Sequence, residues 1–323
     1  MTDPFESAKT HAYAARGSFA GVPARPLDDL GDAGVVILGA PFDWGASHRP
    51  GARMGPRAIR QADYLGFDGR RPHLPTGIDP LETLNVVDTG DLLLPIGYIE
   101  ESIDRIGEAV EAIVRHGAVP IVLGGDHSIT WPNARAVAAV HGDIALVHFD
   151  AHADTGETAA AGMLLGHGTP MRRLIESGAV AGHRFVQIGL RGYWPGPETV
   201  AWMKLQGMRT YLMTDIVDRG LQTVVAEAVA YATQSADAVF LSVDIDVVDP
   251  GMAPGTGTPE PGGILPRELL DTLRRLGRDL NIVGADIVEV APPYDGPGET
   301  TAFLANRCVL EILNGMAERR VAT

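Results

Sequence analysis

With Cys308 as its single cysteine, the chain can form no disulfide within itself, and thiolate ligation of a metal is not expected. That residue falls in an expected helix and reads as a small core side chain. Basic residues are also in deficit. Lysine and arginine number 26 against 41 aspartates and glutamates, a formal net charge of −15. Nucleic acid and anionic membrane surfaces demand a basic footprint, so neither is expected as a partner. The acidic balance is compatible with a cationic small molecule, and equally with plain solubility. No apolar run approaches the length of a bilayer span, and the opening MTDPFESAKTHAYAARG lacks the apolar stretch of a secretory signal. A cytoplasmic location is the expectation. G-x-G-x-x-G and P-loop spacings are missing too, which leaves nucleotide binding without support.

What remains is an ordinary globular composition, 45% hydrophobic and 21% charged over 323 residues. Residues 1–33 show no periodicity and read as an N-terminal arm. From 34 onward strand-like and helix-like segments alternate without a break in composition. Strands are predicted near 34–40, 85–88, 119–123, 144–149, 184–189, 208–213, 238–243 and 282–289. Helices are predicted near 57–64, 99–116, 130–140, 169–177, 197–206, 215–234, 266–277 and 301–319. Residues 65–84 read as an irregular insertion. In the helix at 99–116, Ile99, Ile103, Ile106, Val110, Ile113 and Val114 recur at steps of mostly three and four, and Gly117 ends it. This pattern predicts one α/β domain, 34–323, around a mostly parallel sheet covered on both faces.

Three of those strands end in clusters of acids and imidazoles. GGDHS supplies His127, DAHAD supplies Asp150, His152 and Asp154, and SVDIDVVDP supplies Asp244 and Asp246. The carboxyl ends of strands are where open parallel sheets place their ligands. Alternate residues of an extended segment point the same way, so Asp150, His152 and Asp154 can converge. Four carboxylates and two imidazoles without a thiolate suit two hard divalent cations, whose four positive charges balance four aspartates. Without the ions those aspartates repel one another. Taken singly, each cluster has a plainer reading. DAHAD could be a polar loop, the acids at 244 and 246 a turn, and His127 a structural histidine. All three at three strand ends point to a two-metal hydrolase. His148, in phase with Asp150 but earlier and so deeper in its strand, reads as a buried packing group or one standing behind the ligands. Asp126 either orients His127 or satisfies the turn.

The clusters GGDHS, DAHAD and SVDIDVVDPGMAPGTGTPEPGG resemble the signature blocks of the ureohydrolases, the family of arginase and agmatinase. The likeness takes in PFDWGASHRPGARMGPRAIR, HGTPMRR and DIVEVAPPYD, and sits closer to the agmatinase branch. It implies a three-layer α/β/α fold, assembly into homo-oligomers such as trimers or hexamers, and two metal ions, usually Mn²⁺. It places His127, Asp150, Asp154 and Asp244 on one ion and Asp150, His152, Asp244 and Asp246 on the other. It gives Glu289 the task of orienting a guanidinium and His167 that of a proton shuttle. Asp154 also accepts a hydrogen bond from the attacking hydroxide. The implied reaction cleaves a guanidino compound to urea and an amine, with agmatine to putrescine the leading expectation. Related substrates are 4-guanidinobutyrate, 3-guanidinopropionate, guanidine and alkylguanidines.

The residues between Asp154 and His167 depart from that pattern. Ala159, Ala160, Ala161, Met163, Leu164 and Leu165, with Met171 beyond, replace the aromatic or charged residues common in relatives. If they line the pocket, a small or apolar tail is expected. If they pack away, they say nothing about the substrate. Arg49, Arg53 and Arg57 read as structural pairing in an acidic protein rather than as an anion site. A metallophosphoesterase lacks support because its GNHD-like asparagine is missing, and a non-catalytic metal-binding protein would have no use for His167 and Glu289. Ni²⁺ or Co²⁺ are alternatives to Mn²⁺, since intrinsic affinity favours them and supply decides.

Overall fold

Runs of β-branched and other large apolar residues with no polar side to show to water become strands buried on both faces. The computed structural model describes residues 17–65, 68–159 and 162–322. Its strands are β1 (Val35–Ala40), β2 (Val86–Asp91), β3 (Val119–Gly124), β4 (Ile144–Phe149), β5 (Phe185–Leu190), β6 (Arg209–Leu212), β7 (Ala238–Asp244) and β8 (Asn281–Val288). They form one sheet in the order β2-β1-β3-β8-β7-β4-β5-β6. Every neighbouring pair is parallel. The helices are α1 (Gly55–Gln61), α2 (Pro80–Thr83), α3 (Ile99–His116), α4 (Thr130–His141), α5 (Pro170–Glu176), α6 (Pro197–Leu205), α7 (Met213–Arg219), α8 (Leu221–Ala232), α9 (Pro266–Asp279) and α10 (Thr300–Ala322).

Side-chain alternation divides the core into two layers. Val35 and Ile37 of β1, with Ala145, Val147 and Phe149 of β4, pack with Ile59 of α1, Val224 of α8, Leu273 of α9 and Ile312 of α10. Val36, Leu38, Ile144 and Leu146 face the other way, onto Ile113 of α3, Val137 of α4, Leu174 of α5 and Met203 of α6. The fold is the three-layer α/β/α arrangement expected. Cys308 is buried among the α10 residues, as a small core side chain. No helix among the described residues is long and apolar enough to cross a membrane.

Several boundaries move. The helix expected over 215–234 is two helices, broken at Gly220, whose φ of 82° no ordinary residue adopts comfortably. The first helix starts earlier than 57 and stops at Gln61, because a short 3₁₀ turn, Ala52–Met54, runs straight into it. The strand near 282–289 ends one residue sooner, which leaves Glu289 outside the ladder. The irregular 65–84 segment contains a four-residue helix, Pro80–Thr83, capped by the Asp79 side chain. Of the arm, residues 1–16 lie outside the described set. Within 17–33, Phe19 and Ala20 are fully buried, and the Phe19 N–H donates to Asp88 Oδ2 at 2.7 Å.

Strand order decides where a ligand can sit. The chain leaves β3 on one side of the sheet and resumes at β4 on the other, with β8 and β7 inserted between them later. This switch point opens a crevice at the carboxyl ends of four adjacent central strands.

Candidate metal centre

Each cluster is aimed by a turn that its own sequence dictates. After β3, a Cβ on Gly125 would lie 2.1 Å from the Phe42 carbonyl oxygen, so only glycine lets the chain turn there. His127 then opens a single 3₁₀ turn, His127–Ile129. Asp126 caps this turn by accepting the Ser128 N–H on Oδ1, and accepts the Gly45 N–H on Oδ2. It satisfies loops and does not touch the His127 ring. Past β4 the chain bends at Ala151 and His152, the His152 N–H donating to Asp150 Oδ1 at 2.6 Å, and Asp154 adopts φ 50°. Asp244 closes β7 and accepts the Asp246 N–H at 2.8 Å, folding the chain so that both acids face one crevice.

The six side chains meet. His127 Nδ1 lies 3.0 Å from Asp150 Oδ2, 3.0 Å from Asp154 Oδ2 and 3.1 Å from Asp244 Oδ2. That nitrogen is buried without a hydrogen-bond partner. One nitrogen and three oxygens therefore point at a common centre rather than at one another. His152 Nδ1 lies 3.0 Å from Asp246 Oδ2 and 3.5 Å from Asp150 Oδ1. Asp150, His152 and Asp246 bring ligand atoms close enough together to hold a metal ion, as do His127, His148 and Asp150. Hard oxygens with one imidazole apiece are the donors a divalent first-row cation takes.

Behind the cluster stand groups that fix it. His148, on the same strand face as Asp150, contacts Asp150 Oδ2 through Nε2 at 2.7 Å, and Gln187 Nε2 faces its Nδ1 at 3.2 Å. It is buried, as its depth in the strand suggested, and lies close enough to His127 and Asp150 to stand as a candidate ligand itself. His127 Nε2 contacts Ser242 Oγ at 3.0 Å, and Ser242 continues through Thr130 to Asp286, which also accepts from Asn133. Asp246 Oδ1 accepts the Ala151 N–H. Arg191, just past β5, donates to the carbonyl oxygens of Gly189, Asp246, Val247, Val248, Glu260 and Pro261, clamping the loop after β7.

Glu289 and His167 are neighbours at this cluster. Glu289 is buried with φ 63°, and its Oε1 accepts the His127 N–H at 2.9 Å and lies 2.9 Å from His167 Nδ1. Both residues line a cleft of about 330 Å³ together with Ser47, Thr158, Ala159, Gly168, Trp194 and Thr258. Trp194 and Arg191 carry no sequence signal of their own, whereas Ser47 lies in the PFDWGASHRPGARMGPRAIR block without being singled out there. Among the described residues of the apolar loop only Ala159 reaches the cleft; Ala160 and Ala161 lie outside them. Met171 does not line it either. It is fully buried beneath α5 because Thr169 and Pro170 start that helix and turn its side chain into the core. Arg53 pairs with Asp43 and stacks on Trp44, and Arg49 lies over the Tyr294 ring, both structural arrangements.

Metal-free, the carboxylates must find positive charge among the imidazoles. Burial pushes His127 down, but its three surrounding aspartates outweigh burial and hold it well above the ordinary range. Burial likewise opposes protonation of His152, yet Asp246 and Asp150 push it up to about 12. His167 rises to about 9 because Glu289, aided by Asp126 and Asp154, overcomes its burial. Asp244 is driven up by burial and by the charges of Asp246 and Asp150. Asp126 is pushed up to about 7 by burial and by Glu289. The protons stand where cations belong.

A model of the arginase family matches residues 33–314. The chain belongs to the arginase family. The mitochondrial agmatinase of Gallus gallus is 43% identical over 275 residues, which span 84% of this chain and 78% of that protein. The guanidinobutyrase of Pseudomonas aeruginosa is 38% identical over 88% of both chains. The solved proclavaminate amidino hydrolase of Streptomyces clavuligerus superposes with a TM-score of 0.87 at 38% identity, covering 96% of this chain and 100% of that one. Membership makes the chain a hydrolase of amidino carbon–nitrogen bonds.

Proposed function

We propose that the chain is a two-metal amidinohydrolase that cleaves a guanidino compound to urea and an amine. The observation that carries this reading is the orphaned, buried His127 Nδ1 facing three carboxylate oxygens at 3.0–3.1 Å. His127, Asp150, Asp154 and Asp244 hold one ion, and Asp150, His152, Asp244 and Asp246 the other, with Asp150 and Asp244 shared. Oxygen-rich ligation favours Mn²⁺, with Ni²⁺ and Co²⁺ as alternatives. When bound, two such ions supply Lewis acidity and make hydroxide available at neutral pH.

The chain's own groups do the rest. Glu289 commits Oε1 to His127 and His167, which leaves Oε2 to accept from a guanidinium N–H at the floor of the cleft. Asp154 accepts a hydrogen bond from the attacking oxygen. His167 returns a proton to the departing amine nitrogen. Trp194 and Ala159 wall the space beyond.

Agmatine is the leading substrate by resemblance. The cleft lining favours a second reading, because Ser47, Thr158, Ala159, Gly168, Trp194 and Thr258 offer no carboxylate to a distal ammonium and no cation to a distal carboxylate. A guanidino compound with a short uncharged tail fits that lining. We further take 34–323 as one catalytic domain after an arm of 1–33, and the protein as a cytoplasmic homo-oligomer, a trimer or hexamer. The experiment is urea release by protein loaded separately with Mn²⁺, Ni²⁺ and Co²⁺. The panel holds agmatine, arginine, 4-guanidinobutyrate, 3-guanidinopropionate, guanidinoacetate, guanidine and an N-alkylguanidine. Preference for agmatine supports the first reading, and preference for guanidine or the alkylguanidine the second. Silence with every metal and substrate ends both.

A further inference from the structure

His167 is held from two sides. Its Nδ1 faces Glu289 Oε1 at 2.9 Å, while its Nε2 faces the Ser47 N–H at 3.0 Å and Ser47 Oγ at 2.6 Å. A backbone N–H can only donate, so Nε2 facing it must accept. Nδ1 then carries the proton and donates it to the Glu289 carboxylate. The segment bearing Ser47 is tied down independently. Gly45 donates its N–H to buried Asp126 Oδ2 at 2.8 Å, and the His167 N–H donates to the Gly45 carbonyl oxygen at 3.0 Å. A Cβ on Gly45 would lie 2.1 Å from Ser128 Oγ, 3.0 Å from Asp126 Oδ2 and 3.1 Å from the His167 nitrogen, so the strap closes this tightly only with glycine.

We propose that Ser47 is a positioning residue for the reaction: its N–H and hydroxyl fix His167 in the Nδ1–H form and leave Nε2 as the nitrogen that takes and returns the proton. Nε2 takes the proton that the attacking water gives up, Ser47 Oγ turning to accept from the new Nε2–H, and passes it to the departing amine nitrogen as that nitrogen's bond to the central carbon breaks. Nδ1 keeps its own proton throughout, because Glu289 holds it. The kinetic part rests on the amidinohydrolase reading, and the tautomer does not.

The test has two arms. In the first, protein with ¹⁵N-labelled histidine is loaded with diamagnetic Zn²⁺, whose charge disfavours an imidazolium nearby. Long-range ¹H–¹⁵N correlation, with His167 assigned by its absence in His167→Gln, is expected to show Nδ1 protonated and Nε2 bare. A protonated Nε2 on a neutral ring overturns the proposal. In the second arm, Ser47→Ala is expected to lower kcat about tenfold with KM changed less than about twofold, and Ser47→Thr to recover most of the loss. Wild-type kcat in Ser47→Ala, or no recovery in a folded Ser47→Thr, overturns it. If Ser47→Ala does not fold, Ser47→Thr and the wild-type spectrum still decide. If the wild-type protein hydrolyses no guanidino compound, the amidinohydrolase reading fails and the spectrum alone judges Ser47.

Discussion

Asp154 and Glu289 both carry positive φ, 50° and 63°, without being glycine. Such conformations cost on the order of 1–3 kcal/mol and persist where the surroundings demand them, often at functional sites. Asparagine tolerates the left-handed region better than most residues, so Asp154→Asn separates the charge from the backbone. Its far-UV circular dichroism is expected to match wild type while metal affinity at the His127 cluster drops by at least about tenfold. Titration with Mn²⁺ followed by metal analysis reads this directly, and two tightly held ions in the variant would remove Asp154 from the ligand set. The imidazoles give a second test at this scale. Against burial, the charges of Asp150, Asp154, Asp244 and Asp246 hold His127 and His152 above their ordinary values, so without metal both rings favour the protonated form. A ligating imidazole must lose its proton on that nitrogen, so metal uptake at pH 7 should release about one to two protons per chain. Apparent affinity then rises with pH. Calorimetry in buffers of different ionisation enthalpy measures the release, and heats independent of buffer would contradict it.

At the scale of elements, the site depends on turns locked by residues remote in sequence. Arg191 after β5 grips carbonyl oxygens on both flanks of Asp246, from Gly189 to Pro261. A lysine keeps the charge but cannot span that fork. Arg191→Lys should lose roughly 2–4 kcal/mol of stability, from hydrogen bonds to a charged donor worth about 1.5–3 kcal/mol each. Denaturant titration checks the loss, and a midpoint equal to wild type would show that the loop holds itself. This dependence explains what could be read beforehand. DAHAD and the acids after β7 stood out because acids and imidazoles recur at two-residue spacing straight after apolar strands, although the chain bends at 151–152 and turns at Ile245–Val247 rather than staying extended. The strand ends were legible because both faces of the sheet are covered and apolar runs mark them. Trp194 and Arg191 were not, and Ser47 only as a member of its block, since each acquires its role only when loops from different strands meet above the switch point. For Met171 both alternatives stood open from its place after HGTP, and the start of α5 decides for packing away by turning it inward. The break at Gly220 lay inside a helical pattern that continues on both sides.

For the whole molecule, the order β3-β8-β7-β4 sets the three acid-and-imidazole clusters and Glu289 on four adjacent strands. The bodies of those strands are already satisfied. Residues such as Ile121, Val147, Leu241 and Ala285 are fully buried between two helical layers, and the ladder pairs each strand on both edges. The ends differ, because four aspartates gathered in a crevice repel one another unless cations or imidazolium groups intervene. The sheet is therefore expected to stand without metal while its carboxyl rim loosens. Binding to the folded state alone stabilises it by mass action, by about 4 kcal/mol at a thousandfold excess over Kd. Hydrogen exchange on chelator-treated and Mn²⁺-loaded protein should show faster exchange without metal at 45–47, 125–129, 150–156 and 245–249. The bodies of β3, β4 and β7 should stay protected in both states. Exchange that rises uniformly across the sheet would mean that the metals hold the fold itself, and the rim would no longer be separable from its scaffold.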